Sequence, residues 1–124
     1  MQKGKKTILV VDNDSEYNDF LMGLLGDECT LLTAKNGHSA ITTAMNNTPH
    51  LILLHVSLSD MPGFAVARAL QHIRETKNIP VIFIANQNTP PEKIQGLDDG
   101  DYLLKSYSAD DVKRIIMSLI YENA

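Results

Sequence analysis

The sequence predicts a three-layer α/β/α fold built on a five-stranded parallel sheet, and three observations lead to it. Short, continuously apolar runs alternate along the chain with segments whose apolar residues recur at helical spacing. The apolar runs suit strands that are buried on both faces by helices. The length of 124 residues accommodates five β/α units in one domain, and 44% hydrophobic with 21% charged residues is typical of a globular protein. We therefore expect a single domain over residues 1–124.

The first β/α unit lies between residues 7 and 26. Thr7 to Val11 is an apolar, largely β-branched run that predicts a buried strand. Asp14 is placed to cap the helix that follows, and Gly26 is placed to end it. The apolar stripe of that helix has the spacing of one helix face: Tyr17, Phe20, Leu21, Leu24 and Leu25.

The second and third units repeat this alternation. Thr30 to Ala34 predicts a strand, and a helix beginning near Gly37 carries the stripe Ala40, Ile41, Ala44 and Met45. Pro49 closes that unit. Leu51 to Leu54 predicts the third strand, and the helix after Gly63 has the stripe Val66, Ala69, Leu70 and Ile73.

The remaining strands are short. Val81 to Ile84 predicts the fourth strand, Pro90 can open a short fourth helix that stops near Gly96, and Tyr102 to Leu104 predicts the fifth strand. Ser108 lies three residues before Asp111, which is typical of a capping box. The last helix then carries the stripe Val112, Ile115, Ile116, Leu119 and Ile120.

The expected strand order is the flavodoxin-like 2-1-3-4-5, which places a crevice at the carboxyl ends of the first and third strands. Asp12 and Asn13 follow the first strand, and His55 ends the third. Lys105 follows the fifth strand and should reach into the crevice from the side. These residues are the candidate functional site.

Charge and cysteine content exclude several classes of function. The net charge of −4 argues against a direct nucleic-acid partner. Cys29 is the single cysteine, so no intrachain disulfide can form and a reducing compartment is expected. No apolar run approaches the roughly 20 residues that span a bilayer, and no signal-peptide pattern is present. We expect a cytoplasmic protein without a membrane partner.

The third strand and the loop after it, Leu51 to Phe64, resemble the corresponding part of a two-component receiver domain. In that family the strand ends in the aspartate that accepts a phosphoryl group, and His55 stands there. By the same resemblance Asp12 matches the first member of an acidic pair and Asn13 replaces the second. Ala85 replaces a threonine or serine, and Lys105 matches the family's lysine. The resemblance covers nearly the whole chain and predicts the fold. The replaced residues imply that the family's usual phosphorylation on aspartate is absent.

Further departures surround the same site. Tyr102 matches the family's aromatic switch position and is either a switch or a packed edge residue; we favour packing. Ser106 follows Lys105 where the family usually has proline after a cis bond. A cis bond without proline costs about 3 kcal/mol, so we expect a trans bond. The acidic cluster formed by Asp98, Asp99 and Asp101 is expected to be a solvated turn, because its spacing does not match a calcium-binding loop.

Magnesium binding is expected to be weak or absent. Magnesium requires near-octahedral oxygen ligation, and Asp12 is the one weak metal candidate left in the pocket. We predict that Asp12 pairs with Lys105 instead, and that no cofactor is needed.

His55 allows three interpretations. It is a hydrogen-bonded neutral imidazole in a degenerate pocket, a metal ligand, or a phosphohistidine acceptor steadied by Lys105. We favour the first, because a metal site needs more ligands and the phosphoacceptor would lack both a metal and a hydroxyl. His38 and His72 are predicted on helices, away from His55.

The resemblance implies a degenerate receiver in a two-component or phosphorelay pathway that binds a protein partner or a fused output domain and is not an enzyme. A homodimer through the fourth helix, fifth strand and fifth helix is possible, with the contact candidates Lys93, Tyr102, Lys113 and Arg114. The alternative is a flavodoxin-like domain that binds a small ligand in the crevice. The lack of a glycine-rich loop after the first strand argues against it.

Overall fold

The computed structural model describes residues 5–86 and 102–121, and over these ranges strands and helices alternate as the sequence predicts. The strands are β1 (Lys6–Val11), β2 (Cys29–Ala34), β3 (Leu51–His55), β4 (Val81–Ala85) and β5 (Tyr102–Leu104). The helices are α1 (Ser15–Leu25), α2 (Gly37–Asn47), α3 (Gly63–Gln71) and the C-terminal helix (Ala109–Tyr121). The predicted helix from Pro90 to Gly96, the acidic cluster at 98–101 and Lys93 lie outside the described residues.

The five strands form one parallel sheet in the order β2-β1-β3-β4-β5, which confirms the predicted fold class. Val11 of β1 lies beside Leu54 of β3, and His55 lies beside Ile84 of β4. The carboxyl ends of the central strands therefore meet at one edge. The chain order reverses between β1 and β3, so the crevice opens at the ends of these two strands.

Each face of the sheet has its own apolar core. Side chains of α1 and the C-terminal helix cover one face, and side chains of α2 and α3 cover the other. Cys29 is buried in the first core. Alternate residues of β1 serve the two cores, because successive side chains of a strand point to opposite faces. The fully buried strand residues include Ile8, Leu9, Leu51, Ile52, Leu53 and Leu54.

Polar side chains fix where the helices begin. Asp14 accepts hydrogen bonds from the backbone N–H groups at the start of α1, as predicted, and Asn36 accepts one at the start of α2. Ser108 accepts from the N–H of Asp111, which confirms the predicted cap of the C-terminal helix. These bonds satisfy donors that have no partner within the helix.

Helix α3 ends at Gln71, earlier than its apolar stripe predicted. Ile73 and His72 therefore lie beyond the helix, and the prediction for both residues is wrong. The hydroxyl of Thr76 donates to the carbonyl of Leu70 over 2.7 Å in a buried position. The N–H of Ile73 also donates a hydrogen bond to that carbonyl over 3.3 Å. Both bonds use the acceptor that a further helical turn would need.

Candidate functional site

Three sequence-predicted residues lie at the carboxyl edge of the sheet. Asp12 follows β1 and is 2% exposed, and His55 ends β3 and is 8% exposed. Lys105 follows β5, and its N–H donates to the carbonyl of Ala85, which holds the start of this loop against β4. No peptide bond within the described residues is cis, so the bond after Lys105 is trans, as predicted.

Lys105 forms the centre of an ionic cluster with two aspartates. Its Nζ lies 2.8 Å from Oδ2 of Asp12 and donates to Oδ2 of Asp14 over 2.9 Å. The N–H of Asp14 donates to Oδ1 of Asp12 over 3.1 Å, which links the two acids. The predicted pairing of Asp12 with Lys105 is confirmed.

Asp14 has a second role that the sequence analysis missed. Its Oδ1 accepts from the N–H groups of Glu16 and Tyr17 and caps α1, while its Oδ2 binds Lys105. A carboxylate can do both because its two oxygens accept independently. The signal in the sequence was the spacing of Asp12 and Asp14, which places two carboxylates in one strand-to-helix turn.

The charges of this cluster reinforce one another. The hydrogen bond from Lys105 is the main reason why the pKa of Asp14 is lowered from its usual value. Burial by itself would lower the pKa of Lys105, but the close contacts of its Nζ with the charged carboxylates of Asp12 and Asp14 outweigh burial and raise that pKa. Asp14 and Lys105 are therefore both ionised at neutral pH.

Tyr17 and Asn18 extend the cluster into α1, and the sequence analysis had assigned Tyr17 only to the core. The Tyr17 ring lies 5.1 Å from Lys105 Nζ, and burial together with the charge of Asp12 raises the pKa of Tyr17 to about 12. Asn18 donates to the backbone carbonyl of Asp12 over 3.0 Å. The Tyr17 hydroxyl and Asn18 Oδ1 are buried without a hydrogen-bond partner among the described residues; Oδ2 of Asp12 has its ion pair but no directed hydrogen bond.

His55 is anchored to the loop after β3 through one ring nitrogen. Its Nδ1 lies 2.8 Å from the carbonyl oxygen of Ser57 and 3.0 Å from the N–H nitrogen of the same residue. Nδ1 donates to the carbonyl when it carries a proton and accepts from the N–H when it does not. The imidazole is thus hydrogen-bonded in either state, as the favoured interpretation requires.

The loop between β3 and α3 is held closed. Ser57 bridges to Pro62, and the N–H of Gly63 donates to the carbonyl of Val56 over 2.9 Å. A Cβ atom at Gly63 would lie 2.4 Å from the carbonyl oxygen of His55. This close approach of backbone to backbone requires glycine at the start of α3.

Asp60 joins this loop to the start of α2, a contact that the sequence analysis did not foresee. Its carboxylate accepts from the N–H of Gly37 over 2.8 Å and from the N–H of His38 over 3.0 Å. The His38 imidazole lies 2.7 Å from the same carboxylate. The bond from Gly37 is the main reason why the pKa of Asp60 lies below its usual range.

The other predicted residues lie around this centre. Asn13 is exposed after β1, and Ala85 ends β4 with a fully buried methyl group and no hydroxyl. Tyr102 is half-buried against the core of α2 and α3, which is the packed arrangement. Lys113 pairs with Glu28, and Arg114 pairs with Asp111, both at the surface. Of these contact candidates, the two basic residues already have partners within the chain.

No helix in the described ranges combines the length and hydropathy needed to cross a bilayer.

The strand order 2-1-3-4-5, with a cluster of one lysine and two aspartates at the carboxyl ends of the strands, is typical of receiver-like signalling domains. The response regulator receiver domain model matches residues 8–117, and the chain belongs to that family. The family does not favour the alternative of a small-ligand-binding domain.

Relatives and solved structures agree with this assignment. The response regulator PleD of Caulobacter vibrioides is 38% identical over 109 residues, which are 85% of this chain and 23% of that protein. The phosphate regulon transcriptional regulatory protein PhoB of Pseudomonas aeruginosa is 34% identical over 108 residues, 83% of this chain and 46% of that one. The chain thus spans less than half the length of either relative.

Among solved structures, the receiver domain of the sensor histidine kinase PA1611 from Pseudomonas aeruginosa shares the fold with a TM-score of 0.77. It is 19% identical and the match covers 94% of this chain and 98% of that one. That structure holds a magnesium ion in its active-site cleft.

Proposed function

We propose that this receiver domain is degenerate: it works in two-component signalling without phosphorylation on aspartate, as a module that binds another protein or domain. The observation that carries the proposal is the pairing of Lys105 with Asp12 and Asp14 beside a β3 strand that ends in His55. The positive charge in the pocket is supplied by the side chain of Lys105. The residue at the position of the phosphoryl acceptor is His55, which has no carboxylate.

The residue at the end of β3 decides the chemistry. Formation of an acyl phosphate needs a carboxylate oxygen as the nucleophile, and His55 offers ring nitrogens only. Phosphoryl transfer also relies on groups that stabilise charge on the transferred oxygens. Ala85 provides no hydroxyl for that purpose at the end of β4. Transfer to aspartate is therefore not expected in this pocket.

The residues present do not fit a magnesium ion. Within residues 5–86 and 102–121 no three acidic, histidine or cysteine side chains form a group that could hold a metal. Asp12 and Asp14 direct one oxygen each to Lys105, and their remaining oxygens accept backbone N–H bonds. A hexacoordinate oxygen site would have to displace these bonds.

The ionic cluster has a structural role in this proposal. It ties the loop after β5 to the turn between β1 and α1, across 91 residues of sequence between Lys105 and Asp14. A second charge state of the pocket would be needed to move this connection, and without phosphorylation the pocket has only one. The domain therefore presents one arrangement of its β5 surface to a partner.

The partner is a protein or an output domain. PleD and PhoB are a response regulator and a transcriptional regulator, and both are more than twice as long as the segments that match this chain. By analogy, residues 1–124 form one receiver-like domain that transmits a signal through contact and is not itself an enzyme. Tyr102, Lys113 and Arg114 remain candidates for this contact.

The test compares the wild-type protein with a variant in which the missing groups are restored. The variant carries Asn13→Asp, His55→Asp and Ala85→Thr, and both proteins are incubated with magnesium and acetyl phosphate. Intact mass should show no added phosphoryl group on the wild type, and amide NMR should show no localised shifts near Asp12 or Lys105. The restored variant should shift with magnesium and gain mass.

A wild-type protein that gains one phosphoryl group would contradict the proposal. The site of the gain would then be identified by the variant His55→Gln and by ³¹P NMR. Loss of the gain in that variant, with a phosphoramidate signal in the wild type, would establish His55 as the acceptor.

A further inference from the structure

The exposed surface of α1 is acidic and lies on one side of the sheet. Residues 14–28 hold five acidic and no basic side chains. Glu16 and Asp19 are exposed and form no ion pair with another described residue, whereas Asp14 and Glu28 are bound by lysines. With Phe20 and Gly23, these two acids lie at the spacing of one helix face. We call Glu16, Asp19, Phe20 and Gly23 the acidic stripe.

The exposed surface formed by α3 and the turn after it is basic and lies on the other side of the sheet. Phe64 is 56% exposed, and the Arg68 guanidinium lies 5.8 Å from the centre of its ring. His72 follows one turn later, and its Nδ1 contacts the carbonyl of Arg68. We call Phe64, Arg68 and His72 the basic stripe. Residues 63–77 hold three basic and one acidic side chain.

Among the residues that the structure describes, little negative charge near the basic stripe is left to neutralise it. Glu75, after α3, lies 3.9 Å from Arg74. Helix α2, which packs beside α3, contains no aspartate, glutamate, lysine or arginine. Asp60 is the acid in the loop before α3, and its oxygens are already bound by Gly37 and His38. Arg68 therefore keeps its charge available at the surface, next to Phe64, the aromatic side chain with the highest exposed fraction among the described residues.

We propose that copies of this chain associate head to tail, with the acidic stripe of one copy seated on the basic stripe of the next. The two stripes have opposite charge, and each contains one exposed aromatic ring. The guanidinium of Arg68 can bind the carboxylates of Glu16 and Asp19 with charge-assisted hydrogen bonds. Phe64 can approach the α1 backbone closely at Gly23, where a side chain is lacking and no neighbouring atom lies within 4 Å.

The arrangement of the stripes determines the kind of assembly. The two surfaces lie on opposite faces of the sheet, so each copy keeps one stripe available after it binds. Such an interface joins different patches and extends to a filament or closes to a ring. It does not involve the pocket at Lys105, and it is distinct from a symmetric dimer through β5 and the C-terminal helix.

The first measurement is sedimentation velocity of the full chain at low and high ionic strength. At about 10 mM salt, where charges act over about 30 Å, the mean sedimentation coefficient should rise with protein concentration. At about 1 M salt, where the screening length is about 3 Å, the protein should sediment as a monomer. A monomer up to about 1 mM protein at low salt would overturn the proposal, as would association that persists at high salt.

Two neutralised variants test the direction of the contact. One carries Glu16→Gln and Asp19→Asn and lacks the acidic stripe; the other carries Phe64→Ala and Arg68→Ala and lacks the basic stripe. Each alone should remain a monomer at low salt. Their mixture should form a one-to-one dimer and nothing larger, because each supplies the stripe that the other has lost. Neutral substitutions are used so that no new attraction is created.

The control is Arg114→Ala, which changes the surface of the C-terminal helix and should associate like the wild type. If Arg114→Ala abolishes association, or if either neutralised variant still associates alone, the contact lies elsewhere. A mixture of the two neutralised variants that remains monomeric would also refute the head-to-tail arrangement.

Discussion

The two sides of the crevice are held by different forces. On the side of β1 and β5, Lys105 binds Asp12 and Asp14, so full charges hold the loops together. On the side of β3, His55 and Asp60 hold a loop through hydrogen bonds to backbone groups. Removing one partner from a buried ion pair leaves an uncompensated charge, whereas removing one cap costs a single bond. The first side should therefore be more sensitive to substitution.

The largest effect is expected for Lys105→Met. Asp12 is nearly fully buried, and the substitution leaves its charge beside Asp14 without a cation. Loss of one partner of a buried pair costs about 3–5 kcal/mol, and we expect the lower end because Asp14 is partly exposed. Urea denaturation measures the change. The double variant Lys105→Met with Asp12→Asn should recover part of the loss; equal stability of both variants would show that the ion pair is not responsible.

A smaller loss is expected on the β3 side for Gly63→Ala. The new Cβ would lie 2.4 Å from the carbonyl oxygen of His55, so strand and helix must separate. Overpacking of this kind costs about 1–3 kcal/mol. The matched control is Gly23→Ala in α1, where no atom lies within 4 Å and alanine should stabilise the helix by up to about 1 kcal/mol. Opposite signs in thermal unfolding are expected, and a neutral Gly63→Ala would contradict the close approach.

The pH dependence should distinguish the two sides further. The pKa values of Asp14 and Asp60 are both lowered in the folded protein, so each acid binds protons more readily when unfolded. Their contributions to stability are present above the unfolded value near 4 and disappear as the pH falls through the folded pKa. Asp60→Asn should flatten this acid-side loss. The alkaline side should stay unchanged, because it depends on the raised pKa values of Tyr17 and Lys105, whose contributions to stability are lost as the pH rises through them. Urea denaturation from pH 2 to 11 measures the free energy of unfolding over both the acid and the alkaline range. If Asp60→Asn lost stability at acid pH as steeply as the wild type, the role of Asp60 would be refuted.

The smallest effect is expected for Tyr17→Phe. The hydroxyl is buried without a hydrogen-bond partner among the described residues, so its removal breaks no bond and should leave the free energy of unfolding unchanged or raise it by up to about 1 kcal/mol. The titration of this hydroxyl near pH 12 should disappear from the absorbance of tyrosinate. Tyr121→Phe, at an exposed position, is the control and should leave the titration of Tyr17 in place. A large loss of stability would mean that the Tyr17 hydroxyl has a partner.

The sequence predicts the fold well because local pattern and tertiary structure agree. The strand β5 was predicted residue for residue, since its three apolar residues are followed by polar ones. The end of α3 was wrong because periodicity continued to Ile73, while a single buried hydroxyl at Thr76 took the acceptor needed for another turn. Periodicity reports which face is apolar and contains no information about such a bond.

The site was predicted in part. The pairing of Lys105 with Asp12 followed from strand order and charge, and the structure adds Asp14 as the second acid. The hydrogen bonds from Gly37 and His38 at the start of α2 to Asp60 were missed. These two residues lie 23 and 22 positions before Asp60 in the sequence, and no motif marks the contact. Contacts of this kind depend on the path of a loop, which apolar spacing does not determine.

The link between Lys105 and Asp14 also affects how the protein folds. It joins residues 91 positions apart, so closing it requires that nearly the whole chain already be in place. Contacts of high sequence separation have a large loop-closure entropy, and they form after local helices and neighbouring strands. We expect the ionic cluster to be absent from the transition state for folding. The cluster would then mainly lower the rate of unfolding and leave the rate of folding nearly unchanged. It would therefore lengthen the lifetime of the native domain.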